Sequence, residues 1–274
     1  MILMPLVFYV AAAITYAVAF AQRSDTVGRW ATLTLVGGTL THTFVIGMQT
    51  MQVGHLPIVG TTGAVSIFVY LLAVAYLYTE TMTNERAMGV FIVPLMALLQ
   101  AIPSVTDTVA SRPPVLDSPW FAVHVSSLLF AYASFALASV IGLTYVLLFK
   151  ELKAKHLGFF YARLPSLKVL DVMNGRAIAV GWVFLTIGLS VGVIWLIQVQ
   201  TSTLDPRVQA MSFFDPKISM MAVIWIVYSF AIYARRSIGW SGRRTAVLSA
   251  IGFMIVLLNF LPIGYFVTQS HNFY

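Results

Sequence analysis

A chain with five histidines and no cysteine has a narrow choice of chemistry. Disulfides, thiolate metal sites, cysteine nucleophiles and a covalently attached c-type haem are excluded, and any metal must be held by His, Met, Tyr or carboxylate. His124 begins a long apolar run, His271 follows the last one, His55 follows the second, and His42 lies inside the second. Two imidazoles on opposite sides of a porphyrin can hold haem b without covalent attachment, and His124 with His271 is the pair suited to that. An interfacial or capping imidazole is the alternative at each position. For His42, an ionisable group inside an apolar run, it is a neutral ring bonded to a neighbouring helix, for example through Thr41 or Thr43. Zinc fits less well, because no HxxxH pair or carboxylate neighbour accompanies any of them.

The elements that must position these residues are membrane helices. Of 274 residues, 59% are hydrophobic and 9% charged, against about 25% charged in soluble domains. A bilayer core needs roughly 20 apolar residues per helix. Eight runs meet or approach that, at about 2–21, 30–51, 63–79, 87–103, 120–149, 177–199, 219–234 and 246–267. A membrane barrel would show short alternating segments instead. The expected fold is an all-α integral membrane protein, one domain over 1–274, with eight transmembrane helices. The first is expected to be a retained helix rather than a cleaved signal peptide.

Of the sixteen Lys and Arg residues, only Arg112, Arg207 and Lys217 fall in loops after even-numbered runs. The positive-inside rule then sets both termini on the outer face and the loop at 150–176 in the cytoplasm of a bacterial inner membrane. The net charge of +7 is topological, and no basic stretch is interleaved with stacking aromatics, so nucleic acid is not an expected partner. His124, His55 and His271 share the outer face. There Asp215-Pro216 reads as a helix start with a capping carboxylate. Arg112, Arg207 and Lys217 are available to anionic groups such as haem propionates. Gly37 with Gly38, and the Gly188-xxx-Gly192 pair, read as close helix contacts. The basic segment 153–168 reads equally as an amphipathic surface helix or a connecting loop.

Several motifs resemble the cytochrome c assembly family of membrane haem-handling proteins, the CcsA, ResC and CcmC relatives. Trp120-Phe-Ala-Val-His124-Val-Ser126 with Tyr132-Ala133 is similar to WLxxHVSxxxxxYA. Leu170-Asp171 with Arg176, then Phe184 to Gly188 and Gly192 to Trp195, resembles LDxxxxR and FLTIGxxxGxxW. Phe214-Asp215-Pro216-Lys217 with Trp225 to Tyr228 is similar to WDPKE and WLIY. Gly239 to Arg244, Ile251 to Phe253, Gly54-His55-Leu56-Pro57 and the terminal Ser270-His271-Asn272-Phe273-Tyr274 match GWRGRR, IGF, GHFP and LHSY.

The resemblance implies outer-face haem ligands at His124 and His271. It also implies a second assembly subunit and an apocytochrome c as partners, the latter supplying the thiols this chain lacks. The departures point toward the HemX or YpjD-like branch. No tryptophan lies between Trp195 and Asp215, Phe214 and Ile218 replace the family's Trp and Glu, and Tyr233 replaces a histidine. Two readings follow: a haem-handling protein assisting cytochrome c maturation, or a non-catalytic assembly or regulatory factor that has lost haem presentation. Neither makes the chain an enzyme by itself. A transporter is disfavoured, since no symmetric halves or broken charged helices are visible.

Overall fold

The computed structural model describes residues 2–105, 116–155, 158, 160–202 and 215–259. Among them all regular structure is helical: α1 (Met4–Gln22), α2 (Asp25–Val53), α3 (Gly60–Thr83), α4 (Gly89–Val105), α5 (Pro119–Lys153), α6 (Leu167–Ser202), α7 (Pro216–Arg236) and α8 (Arg243–Leu258). Each expected run coincides with one helix, and the end of the eighth lies outside the described residues. Among the described residues six helices, α1, α2, α3, α5, α6 and α7, are long and apolar enough to cross a membrane. The chain is a multi-pass membrane protein.

Local chemistry explains the boundaries. The Ser24 hydroxyl accepts from the Val27 amide at the start of α2, and Ser118 precedes Pro119 at the start of α5. Gly54 ends α2 and Asn84 ends α3, both in the left-handed conformation that helix C-termini favour. Lys150 and Lys153 close α5, and Arg235 and Arg236 close α7, complementing the helix dipoles. The basic segment after α5 forms turns in its described residues, not a helix. Lys155 adopts a positive φ of 54° and Pro165 cannot donate an amide hydrogen bond. Glu151 holds the segment by accepting from the Phe160 and Tyr161 amides.

α5 is the central helix, with 72% of its most apolar window buried against 22 to 33% for the other spans. It packs on α3, α6 and α8, while α1 packs on α2 and α4. Its alanines at 131, 133, 136 and 138 bring neighbours close, and Phe135 stacks on Tyr228 of α7 with centroids 3.5 Å apart. Gly181 of α6 makes that possible, since a β-carbon there would approach Phe135 Cε1 to 2.5 Å. Gly37 and Gly38 of α2 receive Phe8 and Tyr9 of α1, so the expected close contact is present. On the lipid side, Val7, Ile14, Leu33, Leu40 and Phe44 are exposed.

Polar ties fix the rotation of each helix. Trp182 donates to Ser229 at 2.7 Å and Trp225 donates back to Thr186 at 3.0 Å, a reciprocal pair joining α6 and α7. Asn174 of α6 donates to the Ala138 carbonyl on α5 and to Ser249 on α8. Asp171, from the LD pair, accepts both terminal nitrogens of Arg235 at 2.9 Å, and also the Gly242 amide and the Thr245 hydroxyl. Among the described residues its guanidinium partner is thus Arg235, not the nearby Arg176.

Candidate functional site

His124 stands in the second turn of α5 and faces α6. Its Nδ1 lies 2.7 Å from the Gly188 carbonyl. A carbonyl can only accept, so Nδ1 carries the proton and Nε2 the lone pair, the tautomer in which an imidazole is ready to bind a metal through Nε2. Gly192, one turn further along α6, completes the seat: a β-carbon at 192 would overlap the imidazole ring. The Gly188-xxx-Gly192 pattern is therefore a cradle for one side chain as well as a close helix contact. Gly188 itself sits against Leu128, where a β-carbon would come within 2.7 Å of Cδ2.

The ring borders a cavity of about 260 Å³. Its walls are mostly apolar and come from the chain just before and at the start of α3 (Ile58, Val59, Gly60), the first turns of α5 (Phe121, Val125, Leu129) and the second half of α6 (Leu189, Val193, Leu196). Lys217, Ile218 and Met221 at the start of α7 and Asn259 after α8 complete it. These are the ends of their helices opposite the basic loops, so five elements converge on one end of the bundle. The Tyr132 hydroxyl donates to the Met221 sulfur at 2.6 Å, and Phe121 packs on Trp195 with centroids 5.4 Å apart.

Two buried polar atoms in this wall, Trp195 Nε1 and Asn259 Oδ1, have no hydrogen-bond partner among the described residues. Their side chains are 5% and 1% exposed. One is a donor and the other an acceptor, and a buried polar atom left unpaired costs roughly 1 to 3 kcal/mol. Such groups in an apolar cavity are what a ligand with its own polar atoms would satisfy.

The structure brings His124 and Lys217 into one cavity. Asp215 is not a lining residue but the buried N-cap of α7, accepting from the Lys217 amide at 2.8 Å, with Pro216 in the first turn as expected. Trp120 is 46% exposed on the outside of α5 and does not line the cavity. His55 lies in the connection that supplies part of the wall, with its Nδ1 3.0 Å from the Leu56 carbonyl, but is not a lining residue itself. His271, Arg112 and Arg207 lie outside the described residues.

His42 is not brought to this cavity. It is fully buried between α1 and α3, with Nδ1 3.0 Å from the Tyr9 hydroxyl and Nε2 2.9 Å from the Ser66 hydroxyl. Both ring nitrogens are thereby satisfied. Thr41 and Thr43, the partners suggested by sequence, bond the backbone of their own helix, and Thr43 also reaches the Tyr70 hydroxyl of α3 at 3.4 Å, but neither bonds His42. Tyr132 belongs to the motif that carries His124. Asn259, by contrast, went unnoticed in the sequence, although an amide in an apolar run is a signal of its own.

Comparison with known proteins agrees with the helical pattern. Residues 2–271 match the family model described as cytochrome C assembly protein. The cytochrome c biogenesis protein CcsA of Trieres chinensis is 24% identical over 262 residues, covering 84% of this chain and 81% of its own. That of Microcystis aeruginosa is 23% identical over 278 residues, covering 84% and 82%. That of Chlamydomonas reinhardtii is 27% identical over 214 residues, covering 75% and 56%. With residues 2–271 matched, nearly its whole length, the chain belongs to the cytochrome C assembly protein family.

Proposed function

We propose that the protein holds haem b non-covalently at the end of the bundle where α5 and α7 begin, in support of cytochrome c maturation. His124 would supply one imidazole to the iron and His271 the other. The observation that carries this reading is the 2.7 Å bond from His124 Nδ1 to the Gly188 carbonyl, which fixes the tautomer and the ring plane. The apolar wall, the Lys217 cation and the unpaired Trp195 and Asn259 atoms suit a flat, largely apolar ligand with acidic edges. At about 260 Å³ the described cavity admits one edge of a macrocycle rather than its whole.

When bound, haem would supply the iron and the vinyl groups to which cytochrome c thiols are joined. This chain's part is to bind, orient and shield. Leu189, Val193 and Leu196 line the cavity beside His124 and would exclude water there, and Lys217, in the same wall, would pair with an acidic group of the ligand. With no cysteine of its own, the protein leaves the thiols to an apocytochrome and works beside a second assembly subunit. Its relatives are named as cytochrome c biogenesis proteins, and the proposed location is a bacterial cytoplasmic membrane with both termini outside.

The test is the absorption spectrum of purified protein loaded with haem. A bis-imidazole spectrum in the wild type that is lost in H124A and in H271A is expected; unaltered spectra in both variants would sink the assignment. The absence of tryptophan between Trp195 and Asp215 favours a second reading, a non-catalytic assembly or regulatory factor. In that case the wild type stays colourless with haem in excess, and deletion changes the amount of a partner protein.

A further inference from the structure

At the opposite end of the bundle lies a second pocket of about 250 Å³, between the end of α1, the start of α2, the α3 to α4 connection and the segment before α6. Three arginines line it: Arg23, Arg86 and Arg163. Arg86 is held in place along its length. Its carbonyl accepts from the Tyr76 hydroxyl at 3.2 Å, and its stem lies against Gly28, where a β-carbon would approach Cδ to 3.0 Å. Its Nε donates to Thr32 at 3.2 Å and lies 3.8 Å from Glu80. Glu80 is 3% exposed and is itself bonded by Tyr16 at 2.6 Å and by Thr32. The guanidinium contacts among these are both to Nε, and the two terminal nitrogens of Arg86 have no acceptor among the described residues.

Arg23, at the left-handed C-cap of α1, donates its backbone amide to the Ala19 carbonyl, while its side chain makes no hydrogen bond or ion pair among the described residues. The pocket also contains Asp25 and Glu85, and Glu80 lies beside the Arg86 Nε. Partial burial holds the Glu85 carboxyl above its usual range against the pull of Arg86, and neither Glu85 nor Asp25 forms an ion pair with an arginine among the described residues. The start of α2 adds its dipole. Phe20, packed on Phe91 with centroids 6.0 Å apart, gives the pocket one apolar shoulder.

We propose that this pocket binds a phosphate group, with Arg86 as the preorganised fork and Arg23 as the arm that closes on it. Planar guanidiniums match the oxygens of a phosphate two at a time. Two sources offer that group at this end of the bundle: the headgroup of an anionic phospholipid, for which the Phe20 shoulder is suited, and a free phosphate.

The test uses the full-length protein in neutral detergent, titrated calorimetrically with short-chain phosphatidylglycerol and, separately, with inorganic phosphate. One saturable site is expected, weakened about tenfold in R23Q and in R86Q and unchanged in R29Q, whose arginine lies outside the pocket. R86Q removes a neighbour of buried Glu80 and is checked by thermal melting; R23Q alters an exposed, unpartnered side chain and decides the matter if R86Q fails to fold. Binding of phosphatidylglycerol that inorganic phosphate does not displace supports the lipid as source. Displacement with the same sensitivity to R23Q supports a free phosphate. Affinities in R23Q equal to the wild type for both probes, or no saturable binding of either, overturn the proposal.

Discussion

Asp171 and Arg235, 64 residues apart in sequence, meet as a bidentate pair with both N···O distances at 2.9 Å. The same carboxylate also receives the Gly242 amide and the Thr245 hydroxyl, so it joins α6, α7 and the turn into α8.

Removing one partner of this clamp is expected to cost more than an exposed ion pair would. The Arg235 side chain is 29% and the Asp171 side chain 16% exposed, which discounts the effect relative to a fully buried pair. D171N should destabilise by about 1 to 3 kcal/mol. R235K, which keeps the charge but loses the planar fork, should fall between the wild type and D171N. Thermal unfolding in detergent measures the order; equal melting temperatures for all three would contradict it.

Gly192 and Gly47 make a matched pair of glycines in membrane helices. A β-carbon at 192 overlaps the His124 ring, whereas one at 47 meets nothing within 4 Å. G192A is expected to displace the imidazole and weaken the haem spectrum severalfold, with an overpacking cost of about 1 to 3 kcal/mol. G47A should leave the spectrum intact and hold or slightly raise stability. Identical spectra in both variants would show that the α6 cradle does not set the ring.

For His42 the expected consequence is on stability. H42A leaves the Tyr9 and Ser66 hydroxyls without their partner in a dry interior and should cost about 2 to 4 kcal/mol. S66A, which removes one bond, should cost about 1 kcal/mol. Neither should alter the spectrum assigned to His124. A haem-free H42A variant that melts like the wild type would instead make this imidazole a second ligand.

Topology can be measured directly, because the natural chain offers no thiol of its own. Gln52→Cys at the end of α2 and Ser237→Cys at the end of α7 are both exposed positions. A membrane-impermeant maleimide added to intact cells should label the first and leave the second unmodified until the membrane is opened. Labelling of both from one side would overturn the outward orientation of the termini.

The helices were legible in the sequence because a bilayer demands long apolar runs, and charged residues, Pro and Gly mark where they stop. The cap at Asp215 was legible too, since donor and acceptor lie two residues apart. What escaped were ties between distant residues. The partners of His42 are 33 and 24 positions away on two other helices, and nothing local distinguishes Tyr9 or Ser66 from their neighbours. The Gly188 carbonyl that fixes His124 has no side-chain signature. The two readings of 153–168 were separated by Lys155, whose left-handed backbone breaks a helix that the apolar and basic pattern alone allows. Glu80, an acid near the end of an apolar run, was the overlooked signal for the arginine pocket.

Asn174 and Asp171 both look to the last helix or its approach for part of their bonding, through Ser249, Gly242 and Thr245. While a ribosome is still making that stretch, the partly built bundle carries an amide and a carboxylate with bonds missing, a condition lipid tolerates poorly. A chain that ends before Arg243 keeps Gly242 but lacks Thr245 and Ser249, so Asp171 and Asn174 each go without one bond that only the final segment supplies.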